Sequence, residues 1–105
     1  MSEVKNQEQV EQELAKLREM KPKVRRRTMF GDNNHEAIEA QIEVLDEDLT
    51  DDDVYDRLIT EDEETGDTEG EWTQHVVDAA LRVIQWRDGE EEESPSKSWE
   101  PLVQK

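Results

Sequence analysis

In the stretch EWTQHVVDAALRVIQWR, His75, Asp78 and Arg82 follow one another at three- and four-residue spacing. On a helix this sets an imidazole, a carboxylate and a guanidinium on one side, the groups a proton-transfer site would use. An ordinary solvated helix face with a weak ion pair shows the same spacing. A catalytic set needs more. Serine and threonine occur at cap positions or in the C-terminal stretch, His35 and His75 belong to no nucleophile elbow, and the glycines never cluster into a phosphate cradle. The many carboxylates would act as acid and base only where their surroundings drive two pKa values apart, and solvated faces do not. No catalytic or cofactor-binding residue is assigned, no cofactor is implied, and an enzyme is not expected.

Metal chemistry fares no better. The acidic runs DEDLTDDD and TEDEETGDTEGEW invite comparison with a calcium loop, which needs oxygen ligands at positions 1, 3, 5 and 12 and glycine at 6. Counting from Asp46 puts Asp51 sixth and Arg57 twelfth; counting from Glu61 puts Gly66 sixth but Trp72 twelfth. Both fail. There is no cysteine, which excludes disulfides and thiolate ligands, and two histidines far apart in sequence make no zinc site.

What the chain does concentrate is negative charge. Its net charge is −17 over 105 residues, and residues 32–71 hold 18 acidic residues against one basic residue, Arg57. The flanks cancel, so the whole imbalance belongs to that block. Such a surface repels nucleic acid and anionic membranes and attracts basic proteins. Five of its carboxylates, Glu36, Glu39, Glu43, Asp46 and Glu47, fall on the outward side of a predicted second helix. Asp51, Asp52, Asp53 and Asp56 belong to a predicted third. These nine are the candidate partner-binding residues. Glu39–Glu43 and Glu43–Glu47 are like-charge pairs at i, i+4 and destabilise an isolated helix, which argues for a functional reason to keep them. A second candidate set is basic: Lys21, Lys23, Arg25, Arg26 and Arg27 lie together in KPKVRRRTMFGDNN. Alone they would suit phosphate; in so acidic a chain, internal charge balance is the commoner explanation.

The elements that must position these groups are helical. Residues 71–87 are the only stretch apolar enough to be enclosed. Trp72, Val76, Ala79, Ala80 and Val83 line one side, Val77, Leu81, Ile84 and Trp86 widen it, and Gln74, His75, Asp78, Arg82 and Gln85 leave one narrow wet strip. This helix is expected at the centre, bounded by Gly70 and Gly89, with both tryptophans in or beside the core. A first helix over 6–20 carries a thin stripe of Val10, Leu14 and Leu17 behind an Asn6 cap. Pro22 stops it, and Met29 and Phe30 are expected to plug into the bundle. The second helix, capped by Asn33 or Asn34, runs to about Asp48 with Ile38, Ile42, Leu45 and Leu49 inward. Thr50 caps the third, over 51–59, with Val54, Tyr55, Leu58 and Ile59 inward. Residues 60–70 read as a mobile acidic loop and residues 90–105 as a flexible acidic Ser/Pro tail. Within that tail Trp99, Leu102 and Val103 form an apolar island that either folds back or serves as a linear motif.

The resulting expectation is an all-α bundle of three to four helices, with residues 1–89 as the acidic helical domain (core about 20–89) and a disordered C-terminal tail. No secretion signal or bilayer-length apolar run is recognisable, so a cytoplasmic protein without membrane contact is expected, as a monomer or a homodimer. Its expected role is a non-enzymatic module that binds a basic protein, in its sharpest form as a DNA mimic. Over the roughly 22 Å of such a helix, one DNA strand carries about 6–7 phosphates; counting Asp48, the second helix offers six carboxylates. Phages and mobile elements often carry small acidic proteins that block DNA-binding enzymes, an analogy of composition only. The alternatives are a nucleic-acid-associated regulator using residues 21–27, and an adaptor docking through residues 99–103. Direct nucleic-acid binding is not the expectation, and no motif identifies a family.

Overall fold

Asn6 begins the first helix. Its side-chain oxygen accepts from Gln9 N at 2.9 Å while the Gln9 side chain accepts from Asn6 N at 3.0 Å, a reciprocal cap on α1 (Gln7–Met20). A single 3-10 turn, Lys21–Lys23, follows where Pro22 ends the helix. The computed structural model describes residues 4–61, 66 and 68–103. Within them lie α2 (Asn34–Glu47), α3 (Asp51–Asp56), the two-residue strands β1 (Thr60–Glu61) and β2 (Thr68–Glu69), α4 (Gln74–Arg87) and α5 (Pro95–Trp99), which runs into a second 3-10 turn, Glu100–Leu102. The architecture is a small all-α bundle.

Its centre is a pair of helices rather than one. α2 and α4 make the most extensive contact; α1 packs on α2 and α5, and α3 and α5 pack on α4. Ile38, Ile42, Leu45 and Leu49 are buried as the stripe predicts, joined by Ala37, Ala40 and Val44. From α4 come Val76, Val77, Ala79, Ala80, Val83, Ile84 and Trp86, and from α1 Leu14 and Leu17. α4 starts later than its apolar pattern, because Thr73 is the residue whose hydroxyl accepts from Val76 N. Trp72 lies before the helix, its carbonyl accepting from Ile59 N at 2.6 Å. Gly70 has its own reason. Its φ is +97°, and a Cβ there would lie 2.3 Å from the Leu58 carbonyl oxygen.

Four expectations are corrected. Met29 and Phe30 do not enter the bundle: each is 89% exposed. The chain between Arg27 and Asn33 closes on itself through Thr28 N to Asp32 O at 2.8 Å and Gly31 N to Thr28 O at 3.0 Å. Buried Val24, which pairs with Val103, is the residue of this segment that anchors it to the core. Tyr55 and Ile59 are 55% and 42% exposed. α3 is shorter than predicted, ending at Asp56, and so short an element buries only one side, filled by Val54 with Leu58 packed against the core. Finally, the C-terminal stretch expected to be disordered is part of the bundle. Trp99 is only 8% exposed, and Arg25 N donates to Leu102 O at 3.0 Å. The reason is that α2, α1 and α4 leave a place for an indole with a hydrogen-bond partner inside it. Of the acidic loop expected over 60–70, residues 62–65 and 67 lie outside the described residues; the described part is an antiparallel pairing of Thr60 with Glu69 and Glu61 with Thr68.

Candidate protein-binding face

Asn33 fixes where the acidic stripe begins. Its side chain accepts from Glu36 N at 3.1 Å, so Glu36 stands in the first turn of α2, beside the positive end of the helix dipole. At 3.6 residues per turn, Glu36, Glu39, Glu43, Asp46 and Glu47 fall within an arc of about 100°, and all five are exposed or half-exposed. The other side of α2 is sealed into the core, so the stripe is carried on a rigid rod.

α2 ends in a turn that redirects the chain. Asp48 takes a left-handed conformation, φ +55°, and Leu49 N reaches back to Val44 O at 3.0 Å. Thr50 then caps α3. Its hydroxyl accepts from Asp53 N at 3.4 Å, and Asp53 Oδ2 accepts from Thr50 N at 3.0 Å and from the Thr50 hydroxyl at 3.1 Å. Those bonds, the backbone one foremost, hold the Asp53 carboxyl below its ordinary range. Asp51, Asp52 and Asp56 remain exposed.

The charges are partly compensated, by residues that sequence spacing does not pair. Arg18 and Lys21 reach across from α1 and its end: Arg18 Nη2 lies 3.5 Å from Asp46 Oδ1, and Lys21 Nζ contacts Glu39 Oε2. Arg57 Nη1 lies 2.7 Å from Glu43 Oε1. That nitrogen has no hydrogen bond of acceptable direction, so the contact is one of charge only. The guanidinium also stacks 4.9 Å from the Trp72 ring centroid. At the far end Arg87 Nη1 lies 3.3 Å from Asp48 Oδ1. With Glu43 facing Arg57, Glu47 takes the strain of the crowding. Its carboxyl is raised above the ordinary range by its hydrogen bond with the Glu43 side chain, with desolvation and the Glu43 charge adding.

The nine predicted partner-binding residues are therefore brought onto two consecutive helices but are not equivalent. Glu39, Glu43 and Asp46 face cations, and Asp53 is committed to its cap. Among the described residues Glu36, Glu47, Asp51, Asp52 and Asp56 form no ion pair, although the Arg57 charge reaches Glu47. The charge available to a partner is thus shifted toward α3.

The five predicted basic residues are not one surface either. Lys21 is on Glu39, Lys23 Nζ is 3.5 Å from Glu19 Oε1, and Arg27 Nη1 donates to Gly31 O at 2.9 Å. Arg25 and Arg26 are exposed and, among the described residues, paired with no carboxylate. His75, Asp78 and Arg82 do not assemble: His75 Nε2 bonds to Asn34 Oδ1 at 3.1 Å, while Asp78 accepts from Gln74 at 2.7 Å. Trp99 is enclosed and so offers no exposed anchor for a linear motif. Among the described residues no three His, Asp or Glu side chains converge on a metal position, and no helix is long and apolar enough to cross a membrane. No protein-family model, curated protein or solved structure matches the chain.

Proposed function

We propose that this protein is a non-enzymatic interaction module that presents the exposed carboxylates of α2 and α3 to a basic surface on another protein. One observation carries the reading: five carboxylates of α2 share a single solvent-facing stripe whose reverse side is core, and the next helix, α3, adds exposed aspartates. A scattered charge would serve solubility; a charge gathered on a rigid element has direction. Surface salt bridges to Arg18, Lys21 and Arg57 are weak and easily exchanged for a partner's cations. In its sharpest form the module is a DNA mimic: the number of carboxylates along α2 is close to the number of phosphates on one DNA strand over the same length, once a partner's cations replace those now paired with them. By analogy of composition the proposal likens it to the acidic inhibitors that phages and mobile elements carry, with a cytoplasmic nucleic-acid-binding protein as the proposed target.

The test is a titration of the full chain with a basic DNA-binding domain at low and high salt, with and without duplex DNA. Binding should weaken steeply with salt and should be displaced by DNA. Binding that persists under excess DNA removes the mimic form, and absence of salt-sensitive binding to any basic probe removes the proposal. In a gel-shift at low salt the chain itself should not retard DNA; retardation would favour the nucleic-acid regulator working through Arg25 and Arg26.

A further inference from the structure

Among the described residues, and besides Val4, the large apolar side chains left in solvent are Met29, Phe30, Tyr55 and Ile59. They form two patches, one beside Arg25 with Asp32 lining the same cleft, the other among carboxylates. Met29 and Phe30 stand at the tip of the segment between Arg27 and Asn33, which is bridged at its base by the pairing of those two residues. The tip is held by the Thr28 hydroxyl, which accepts from Phe30 N at 3.2 Å and Asp32 N at 3.0 Å, and by Arg27 donating to Gly31 O at 2.9 Å. So the two side chains are presented by a preorganised turn and not by a loose loop. Arg25 lies beside them, lining the same cleft of about 470 Å³ as Met29, Phe30 and Leu102. In a chain with 30 acidic residues, this guanidinium has no carboxylate partner among the described residues.

The second patch is the complement of the first. Asp52, Tyr55 and Asp56 follow at three-residue and adjacent spacing on α3, all exposed, with Ile59 just beyond. An aromatic ring flanked by two carboxylates is what an exposed phenylalanine with a neighbouring arginine would meet best: ring against ring, guanidinium against carboxylate.

We propose that the Met29–Phe30 tip of one copy of this chain docks on the Asp52–Tyr55–Asp56 surface of a second copy, with Arg25 facing the aspartates. The net charge of −17 opposes the approach of anionic lipid and of a second copy alike; what favours the second copy is that it offers an exposed aromatic ring beside two carboxylates to meet Phe30 and Arg25. The contact covers part of the acidic charge offered to a basic partner, so self-association and partner binding compete.

The experiment is sedimentation equilibrium of the full chain over a range of concentrations. Expected are association that grows with concentration and weakening by about 3–10-fold in Kd for Phe30→Ser and for Tyr55→Ser, the range an aromatic pair contributes. Both residues are exposed, so the variants should fold. Arg25→Glu and Asp56→Arg chains should each associate poorly alone and associate again when mixed. A single monomer at every concentration overturns the proposal, as does association indifferent to Phe30 and Arg25. Phe30-dependent sedimentation of a monomeric chain with phosphatidylserine vesicles would overturn it in favour of a membrane. The proposal stands apart from the basic-partner reading: at concentrations where the chain is monomeric Phe30→Ser should leave binding to polylysine unchanged, and Glu36→Gln should weaken polylysine binding while leaving self-association intact.

Discussion

Trp99 Nε1 donates a 2.8 Å hydrogen bond to Gln41 Oε1, across 58 residues of sequence, inside the bundle. The other end of the same amide, Gln41 Nε2, donates to Ala79 O at 2.9 Å, so one 0%-exposed side chain ties α2 to both α4 and α5. A buried amide is tolerable only when its donors and acceptor are met, and here the terminal helix supplies one of the partners. Trp99→Phe should therefore cost about 1–3 kcal/mol by orphaning the Gln41 oxygen, and Trp99→Ala about 3–5 kcal/mol by adding a cavity. Urea unfolding followed by far-UV circular dichroism reads both. Deleting residues 94–105 should be at least as damaging as Trp99→Ala; an unchanged urea midpoint would show that the segment is an appendage.

The crowded carboxyl of Glu47 makes stability depend on pH in an unusual direction. Its pKa is raised in the folded chain above the ordinary 4.5, so the folded state binds that proton more tightly than the unfolded state does. The group therefore opposes folding at neutral pH, and this opposition is relieved as pH falls through the raised value toward 4.5. Asp53 runs the other way: its pKa lies below the ordinary 3.8, so its stabilisation is complete above that value and lost as pH falls through the depressed one. Glu47→Gln should raise the melting temperature at pH 7, with the gain shrinking as pH approaches 4.5. A variant no more stable than the parent at pH 7 would mean that the Glu43–Glu47 crowding is relaxed in solution.

Glu13 is a buried carboxylate on α1 with one oxygen, Oε1, lacking any hydrogen-bond partner. Desolvating such a group without a partner opposes folding. Glu13→Met, similar in length and apolar, should raise stability by about 1–3 kcal/mol, measured as a higher urea midpoint at unchanged m-value. A loss of stability would point to an interaction of Glu13 Oε2 that outweighs its burial.

How far the fold was legible in sequence follows from which residues signal locally. Asn6 with Gln9, Asn33 with Glu36 and Thr50 with Asp53 are caps whose partners sit three residues away; the first and third were readable, and the second only as a choice between Asn33 and Asn34. The Ile38, Ile42, Leu45 and Leu49 stripe was readable for the same reason, as was the outward side carrying the carboxylates. The failures are contacts between distant elements. Met29 and Phe30 look like core by composition; only the closure of their turn by Thr28 and Asp32 leaves them outside. Trp99 sits among Ser, Pro and Glu and looks unstructured, because its partner Gln41 is itself a polar residue hidden within an apolar stripe. The cations that quench part of the acidic stripe, Arg18, Lys21 and Arg57, were invisible for a similar reason. Pairing across α1 and α2 is set by packing, not spacing.

Those cations make the acidic residues unequal, and the inequality can be measured. A partner's lysine arriving at Glu39, Glu43 or Asp46 must first displace Lys21, Arg57 or Arg18. At Glu36, Asp52 or Asp56 there is no cation to displace among the described residues. Removing a carboxylate of the second kind subtracts the full attraction of an unshielded charge. Removing one of the first kind also frees a cation beside the partner, which adds repulsion, but it costs an exposed ion pair that is itself weak. The larger difference between the sets should lie in the encounter, which is governed by the net field. Neutralising Glu36, Asp52 and Asp56 together should lower the association rate with polylysine and flatten its salt dependence. Charge-neutral swaps of intact pairs, Lys21→Gln with Glu39→Gln or Arg18→Gln with Asp46→Asn, should leave both nearly unchanged, since each pair already sums to zero. Stopped-flow fluorescence over a salt series reads the two slopes. Equal loss from the paired and the unpaired substitutions would mean that the ion pairs shield nothing, and that Glu39 and Asp46 draw the partner in as strongly as Glu36, Asp52 and Asp56 do.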